Sequence, residues 1–214
     1  MKIGVLGTGV VGQTLGTALV ELGHEVKMGS RTPDSQKVHD WESKNGSKAT
    51  AGSFDATAAF GEVLILATLW EGTEHALSMT EATHFVNKIV VDVTNPLHFD
   101  ERGPVLALGF TESGGEKIQA WLPQSQVVKA FNSVTANLMS NPQQTLGETP
   151  DMLICGDDED AKATVTALLT SLGWSTVDMG GIEESRLLEP LAMLWIKHMM
   201  RTRNWQHAFK LIKK

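Results

Sequence analysis

The sequence predicts an α/β fold, in which a doubly wound, mostly parallel sheet of about eight strands is followed by C-terminal helices. Short apolar segments typical of strands alternate with segments of helical periodicity over the first 180 residues. This alternation is characteristic of a parallel sheet with right-handed crossovers. It stops near Gly180, where a long helical segment begins. We therefore expect a sheet domain over residues 1–180 and a helical segment over residues 181–214, which packs on this domain or on a partner subunit.

The strands are predicted from short apolar runs that turn residues interrupt. The runs at residues 3–6 and 63–66 contain no polar side chain, which is typical of strands covered on both faces. Pro96 ends the fifth strand, because proline lacks the N–H group that a central strand donates. The eight predicted strands span residues 2–6, 24–29, 47–50, 62–68, 88–96, 125–133, 151–156 and 174–180.

The helices are predicted from apolar residues at helical spacing and from capping residues at their ends. After the first strand, Val11, Leu15, Leu19 and Leu22 share one helix face, and Gly23 is a good C-terminal stop. Residues 97–112 lack such a pattern and are expected to be irregular. Further helices are expected from Pro33 toward Ser43, over 55–61 after a Ser53 cap, over 71–79, 114–122 and 134–140, over 159–173 after a cap at Asp157 or Asp158, over 182–200, and from Trp205.

The composition excludes several classes of protein. A chain of 214 residues can bury a sizeable core without cross-links, and a single cysteine excludes an internal disulfide framework and a multi-cysteine metal site. A net charge of −7 argues against general nucleic-acid binding. No apolar run has the length of a membrane span, and the first residues lead into a strand instead of a signal peptide. We therefore expect a cytoplasmic protein without a metal, whose partner is a small molecule.

A glycine-rich turn follows the first predicted strand. Gly7, Gly9 and Gly12 have the G-x-G-x-x-G spacing of dinucleotide-binding proteins. In this motif the first glycine permits a tight turn, the second lets a pyrophosphate approach the backbone, and the third lets the helix lie close to the strand. A helix beginning near Val10 would direct free N–H groups toward the phosphates. This context favours a Rossmann-type dinucleotide-binding domain over a tight turn that binds nothing.

The turn after the second strand indicates which dinucleotide is bound. A free ribose 2′-hydroxyl is usually held here by an acidic residue, which would repel a 2′-phosphate. This chain instead has Ser30, Arg31 and Thr32, which can donate hydrogen bonds to a phosphate. Lys37 could reach the same phosphate from the next helix. The pattern favours NADP(H) over NAD(H), and an exposed arginine without a ligand is the alternative.

Five segments of the chain together resemble a known family. They cover residues 7–31, 90–97, 127–139, 154–174 and 178–196. In combination they resemble the NADPH-dependent coenzyme F420 reductase family, and the NADPH domain of the six-transmembrane metalloreductases is similar. Members of the family move a hydride between NADPH and a deazaflavin or flavin ring. The resemblance therefore implies an NADP(H)-dependent oxidoreductase whose acceptor is coenzyme F420, FAD or FMN.

The resemblance also implies a set of cofactor-binding residues at the carboxyl ends of the strands, where open α/β sheets bind ligands. One group follows the first strand at the pyrophosphate, one follows the second strand at the 2′-phosphate, and the others follow later strands on the ribose and nicotinamide side. Together with Gly7, Gly12 and Lys37, the set comprises Thr8, Gly9, Val10, Val11, Ser30, Arg31, Thr32, Ala67, Thr68, Leu69, Asn95, Pro96, Ala130, Phe131 and Asn132.

The sequence leaves three functions open. Hydride transfer between stacked rings needs no acid or base from the protein, although residues 94–99 are more polar than a wall fitted to a deazaflavin. Reduction of a carbonyl or imine needs a proton donor, for which His98 and Lys129 are the candidates. A non-enzymatic NADP(H) redox sensor, which would bind the cofactor without turnover, is the third.

The late helix predicts a homodimer. Its apolar residues lie around much of the circumference between residues 184 and 200, so it has to be covered on more than one side. No acidic residue follows Glu189, whereas six basic residues do. This basic end is either a solvated helix face or a contact with an acidic surface. We expect a second copy of the chain to cover the helix.

Overall fold

A computed structural model describes residues 1–101 and 103–212 of the chain. The described strands are β1 (Lys2–Leu6), β2 (Glu25–Gly29), β3 (Ala49–Gly52), β4 (Val63–Leu66), β5 (Ile89–Asp92), β6 (Leu97–Asp100), β7 (Gly103–Leu106), β8 (Gln126–Lys129), β9 (Asp151–Gly156) and β10 (Ser175–Asp178). The helices are α1 (Val10–Glu21), α2 (Gln36–Asn45), α3 (Phe54–Phe60), α4 (Trp70–Ser78), α5 (Gly114–Trp121), α6 (Pro142–Leu146), α7 (Glu159–Ser171) and α8 (Ser185–Thr202).

Eight of these strands form one sheet in the order β10-β9-β8-β5-β4-β1-β2-β3. The six strands from β8 to β3 run parallel, and β9 pairs antiparallel with β8 and parallel with β10. The predicted doubly wound, mostly parallel fold is therefore confirmed. From β1 the chain adds strands β2 and β3 on one side, and from β4 it adds β5 and β8 on the other. The switch point therefore lies between β1 and β4, and in open α/β sheets ligands bind at such a point.

Two apolar layers cover the sheet. One layer includes Leu15 of α1, Trp41 of α2 and Leu169 of α7. The other includes Phe54 of α3 and Ile118 of α5, with parts of α4 and α8. Helices on both faces explain why the central strands contain almost no polar side chain.

The capping residues that the sequence indicates begin their helices as expected. The Oγ of Ser53 accepts a hydrogen bond from the Ala56 N–H at 3.1 Å, and Oδ1 of Asp158 accepts one from the Ala161 N–H at 2.8 Å. Pro33, in contrast, does not begin a helix. It lies in a turn in which the Ser35 N–H donates to the Thr32 carbonyl, and α2 begins three residues later at Gln36.

The sequence predicts that residues 97–112 are irregular, and this prediction is wrong for part of the segment. β6 and β7 form an antiparallel hairpin in which Leu97 pairs with Leu106 and His98 with Val105. Gly103, the first residue of β7, adopts a φ of +100°, a conformation that favours glycine. The hairpin was missed because both strands are short and their exposed side chains include Phe99, so the pattern does not alternate cleanly.

The predicted helix from Trp205 is also wrong. Arg203 adopts a left-handed φ of 55°, which ends α8. The chain then runs beside the start of β9, where the Asp151 N–H donates to the Phe209 carbonyl at 3.0 Å and the Leu211 N–H donates to Oδ2 of Asp151 at 2.7 Å. Two further differences are local: residues 134–140 form only a 3₁₀ turn over Ala136–Leu138, and α6 was not predicted.

Helix α8 leaves several apolar side chains exposed, among them Leu187 and Leu194. They agree with the expectation that this helix is covered by a second copy, and the homodimer stays a prediction. The domain boundary near residue 180 also stays a prediction. Within the described part of the chain, no helix is both long enough and apolar enough to cross a membrane.

Candidate functional site

A cleft of about 880 Å³ opens at the carboxyl ends of β1, β2 and β4. Three turns that follow these strands form its floor and one side, and a face of α4 forms the other side. Its lining consists of Gly7, Thr8, Gly9, Val10, Val11, Gly29, Ser30, Arg31, Thr32, Phe54, Ala67, Thr68, Leu69, Glu71, Gly72, His75, Ala76 and Val93.

The glycine turn is held together by backbone contacts that a side chain would prevent. Gly7 has a φ of +130°, and a Cβ atom there would lie 2.3 Å from the Ala67 carbonyl oxygen. A Cβ at Gly12 would lie 2.1 Å from the Gly7 carbonyl oxygen, so α1 packs directly on the turn. A Cβ at Gly9, in contrast, would have no atom within 4 Å. Gly9 therefore leaves open space in the cleft, where a phosphate can approach the protein backbone.

The second turn presents Arg31 to the cleft. Ser30 is buried, and its Oγ accepts a hydrogen bond from the Thr32 N–H at 3.0 Å. The Ser30 N–H donates to the Gly52 carbonyl, which joins the turn to β3. Arg31 and Thr32 are exposed beside this ordered turn. The arrangement places a guanidinium and two hydroxyls at one end of the cleft.

The cleft lining does not include Lys37. Because α2 begins at Gln36 and not at Pro33, the first helical turn directs Lys37 toward α1. There it lines a separate groove of about 660 Å³ together with Thr17 and Trp41. The structure therefore brings Ser30, Arg31 and Thr32 together in the cleft but leaves Lys37 outside it.

The wall on α4 was missed by the sequence analysis. Glu71, Gly72, His75 and Ala76 lie on one face of the helix, at spacings of three and four residues. Those spacings were readable in the sequence, but they do not tell which face of a helix meets a ligand. The loop before α4 is tied to it by Thr73, whose Oγ1 donates to the Leu69 carbonyl at 3.0 Å.

The loops after β5 and β8 are joined by two asparagines. Nδ2 of Asn95 donates to the Asn132 carbonyl at 2.8 Å, and Nδ2 of Asn132 donates to Oδ1 of Asn95 at 3.2 Å and to the Leu188 carbonyl at 2.8 Å. Phe131, just before Asn132, has a φ of 61°, an uncommon conformation for a bulky residue and one that tends to occur at functional sites. Pro96, Ala130 and Phe131 are buried, so their side chains support this region and do not line the cleft.

Lys129, one of the two candidate proton donors, is not among the residues that line the cleft. Its side chain is fully buried, and Nζ lies 2.6 Å from Oδ2 of Asp92, 2.9 Å from Oε1 of Glu189 and 3.1 Å from the Thr94 carbonyl oxygen. Burial alone would lower the pKa of Lys129, but the charges of Asp92 and Glu189 outweigh it and raise that pKa above its usual value. Lys129 therefore stays protonated in the interior of the protein, held by its two carboxylate partners.

Glu189 and Asp92 each have further donors around them. The carboxylate of Glu189 accepts hydrogen bonds from the N–H groups of Gly114 and Gly115, at 3.0 and 3.1 Å, which are the first residues of α5. Oδ1 of Asp92 accepts from the N–H and hydroxyl of Thr94. These donors and the helix N-terminus compensate the second negative charge of the ion triad of Lys129, Asp92 and Glu189.

The other titratable candidates do not form a reaction centre in the cleft. His98 is exposed on hairpin strand β6 and is not part of the cleft lining. Cys155 is buried with its Sγ 3.3 Å from the Ser185 hydroxyl, and burial raises the pKa of its thiol to about 11. A thiol with that pKa is almost entirely protonated at neutral pH and is a poor nucleophile.

The fold and the glycine turn define a dinucleotide-binding protein of the doubly wound α/β class. Comparison with known proteins agrees with this class. The family model described as NADP oxidoreductase, coenzyme F420-dependent, matches residues 2–96. A solved structure from Arthrobacter sp. FB24, provisionally assigned as an F420-dependent NADP reductase, is 35% identical, and the match covers 100% of both chains with a TM-score of 0.93. The chain therefore belongs to the F420-dependent NADP oxidoreductase family.

Two curated relatives extend this comparison. The F420-dependent NADP reductase of Methanocaldococcus jannaschii is 29% identical over 207 residues, which cover 92% of this chain and 91% of the relative. Metalloreductase STEAP3 of Rattus norvegicus is 32% identical over 205 residues, which cover 90% of this chain. The matched part is only 37% of the length of that metalloreductase.

We expect Lys129→Met to destabilise the fold by about 3–5 kcal/mol, because removing the cation leaves two buried carboxylates without a counter-charge. The free energy of unfolding, measured by urea denaturation at pH 7, tests this. Lys117→Met is the matched control, since Lys117 pairs with Glu112 at 2.9 Å on the surface; its loss should stay within about 0–1 kcal/mol. Equal losses in the two variants would contradict the assignment of a structural ion triad.

Proposed function

We propose that this protein binds NADP(H) in the cleft and transfers its hydride to a flat ring, a flavin or a deazaflavin. The main observation behind the proposal is that two turns line the same cleft. One is the glycine turn, which has open space at Gly9, and the other carries Arg31 between the hydroxyls of Ser30 and Thr32. A pyrophosphate requires the first feature, and a 2′-phosphate is recognised by the second. The names of the F420-dependent relatives support the same cofactor and acceptor.

The phosphates account for both turns. Gly9 has open space where a side chain would stand, and it is the residue before α1, so a pyrophosphate there would meet the positive end of the helix dipole. The guanidinium of Arg31 can form two hydrogen bonds to a phosphate, and a carboxylate at this position would repel it. Among residues 30–32 there is no acid. These features support NADP(H) in preference to NAD(H).

Exposed apolar side chains in the cleft support a planar apolar acceptor. Leu69 and Val10 line the cleft, yet 84% and 69% of their surfaces are exposed. Trp70, next to Leu69, stacks on Trp121 with ring centroids 5.7 Å apart, which fixes the start of α4. A nicotinamide and a second ring stacked against these side chains would cover them and exclude water from the hydride path. Such a transfer needs alignment of the rings and no acid or base from the protein.

Replacing Arg31 by alanine should weaken NADPH binding by about 1–3 kcal/mol, because a charge-assisted contact with the 2′-phosphate is lost. NADH binding should change little, since NADH lacks that phosphate. Titration of both nucleotides by calorimetry measures the two losses. Lys37→Ala removes a cation that lies outside the cleft and should leave both affinities unchanged. The 2′-phosphate assignment would be wrong if Arg31→Ala weakened both nucleotides equally.

Gly9→Ala should fold normally, because its methyl group enters open space, and should lose most of its NADPH affinity, because that space is the proposed pyrophosphate site. Thermal unfolding and NADPH titration measure the two effects. Gly12→Ala provides the contrast, since its methyl group would collide with the Gly7 carbonyl and lower the melting temperature. Undiminished NADPH affinity in Gly9→Ala would count against the proposed pyrophosphate site.

The acceptor is tested by NADPH oxidation with a panel of coenzyme F420, FMN, FAD, ferric chelates, quinones and a cyclic imine. We expect turnover with F420 or a flavin. Turnover with the imine alone would favour the carbonyl or imine reductase alternative, and it would require a proton donor to be found. NADPH binding without oxidation by any acceptor would favour the redox sensor.

A further inference from the structure

The ion triad contains one more negative than positive charge. Asp92 and Glu189 contribute two carboxylates and Lys129 a single ammonium group, and all three side chains are buried. The N–H groups at the start of α5 stabilise the Glu189 carboxylate, but a helix N-terminus is equivalent to only about half a positive charge. A negative charge in excess therefore remains in the interior of the protein.

Both carboxylates are ionised in this arrangement. Oδ1 of Asp92 accepts hydrogen bonds from the N–H and the hydroxyl of Thr94, and Oδ2 accepts one from Lys129 at 2.6 Å. Both oxygens of Glu189 accept from N–H groups of α5, and Oε1 also lies 2.9 Å from Nζ of Lys129. Because each of the four oxygens faces a donor, a carboxyl proton on any of them would point at another proton.

The triad lies directly behind the wall of the cleft at the end of β5. Val93, which lines the cleft, stands between Asp92 and Thr94 in the chain. Consecutive Cα atoms are about 3.8 Å apart, so the Asp92 carboxylate lies on the order of 10 Å from a ring that packs against Val93. Asp92 and Val93 are both buried, so the field of the triad is screened less than that of a surface charge.

The order of the strands directs the reactive ring of the cofactor toward this wall. Arg31 follows β2 and the glycine turn follows β1, whereas β4 and β5 come next in the sheet. A dinucleotide with its 2′-phosphate at Arg31 and its pyrophosphate at Gly9 therefore extends its nicotinamide toward the ends of β4 and β5. Leu69 and Val93 line the cleft there. This step rests on the proposed function.

We propose that the ion triad sets the redox balance of the bound cofactor by favouring its oxidised form. The hydride leaves C4 of the dihydronicotinamide with both bonding electrons and adds to the acceptor ring, whose extra negative charge is neutralised by a proton from water. The nicotinamide, neutral before the transfer, becomes a cation. A fixed negative charge nearby stabilises that cation and leaves the neutral ring almost unaffected. Asp92 and Glu189 act through their charge and touch neither ring.

The test measures the affinities of NADP⁺ and NADPH in Glu189→Gln and Asp92→Asn by calorimetric titration. Each change removes one carboxylate charge and keeps the shape of the side chain. The ratio of dissociation constants, that of NADP⁺ over that of NADPH, reports the nicotinamide alone, because contacts with the phosphates and the adenosine are common to both forms and cancel. We expect this ratio to rise in both variants, on the order of 3- to 10-fold.

Two control variants separate charge from shape. Thr94→Val removes a hydrogen bond to Asp92 without changing any charge. Glu25→Gln removes a carboxylate that is exposed at the start of β2, away from the carboxyl ends of the strands where the cleft lies. Neither control should change the ratio, because the first leaves the charge of the triad unaltered and the field of the second is screened by salt and water.

An unchanged or lower ratio in either carboxylate variant that folds would overturn this inference and leave NADP(H) binding intact. An equal rise in Thr94→Val would assign the effect to altered geometry and overturn it as well. Melting temperatures identify the folded variants. Failure of both carboxylate variants to fold would contradict the excess of negative charge, because Lys129 with one remaining carboxylate should form a neutral pair. A wild-type protein that binds neither nucleotide would instead refute the proposed function.

Discussion

The close contact between the glycine turn and the neighbouring strand end determines the shape of the cleft. A Cβ atom at Gly7 or Gly12 would lie little more than 2 Å from a carbonyl oxygen, so β1, α1 and the end of β4 meet backbone to backbone. This contact brings the turn after β1 and the loop before α4 to the same opening. A closely packed interior cannot accommodate a new methyl group without strain. The shape of the cleft therefore depends on glycine at positions 7 and 12, where any side chain would push these elements apart.

A second constraint acts beneath the loops after β5 and β8. The ion triad joins four elements, since Asp92 ends β5, Lys129 ends β8, Glu189 belongs to α8 and its carboxylate caps α5. Buried charges are costly when any partner is missing, so the elements are held in one arrangement. The paired Asn95 and Asn132 lie on the loops that leave this triad. A rigid base of this kind would hold two rings at a fixed distance, which hydride transfer requires.

The two ends of the cleft differ in chemistry, and the difference matches the two halves of a dinucleotide. Arg31 and the hydroxyls lie at one end, where a phosphate and a purine would be held by charge and stacking. Exposed Leu69 follows β4, on the other side of β1 from β2 and Arg31, where a reacting ring would exclude water. Membership of the F420-dependent NADP oxidoreductase family agrees with this division. Binding specificity and chemistry can thus be separated along one cleft.

The sequence by itself determined the sheet, the glycine turn and the turn that carries Ser30, Arg31 and Thr32, because each is specified by residues close together in the chain. Periodicity and caps such as Ser53 act locally and are readable in order. Only the tertiary structure decided that Lys37 leaves the cleft, that His75 enters it and that Lys129 is buried in an ion triad. Those outcomes depend on where a helix begins and on which elements pack together. The ion triad, for example, joins Asp92 on β5 to Glu189 on α8 through Lys129, and no local pattern records contacts between such distant parts of the chain.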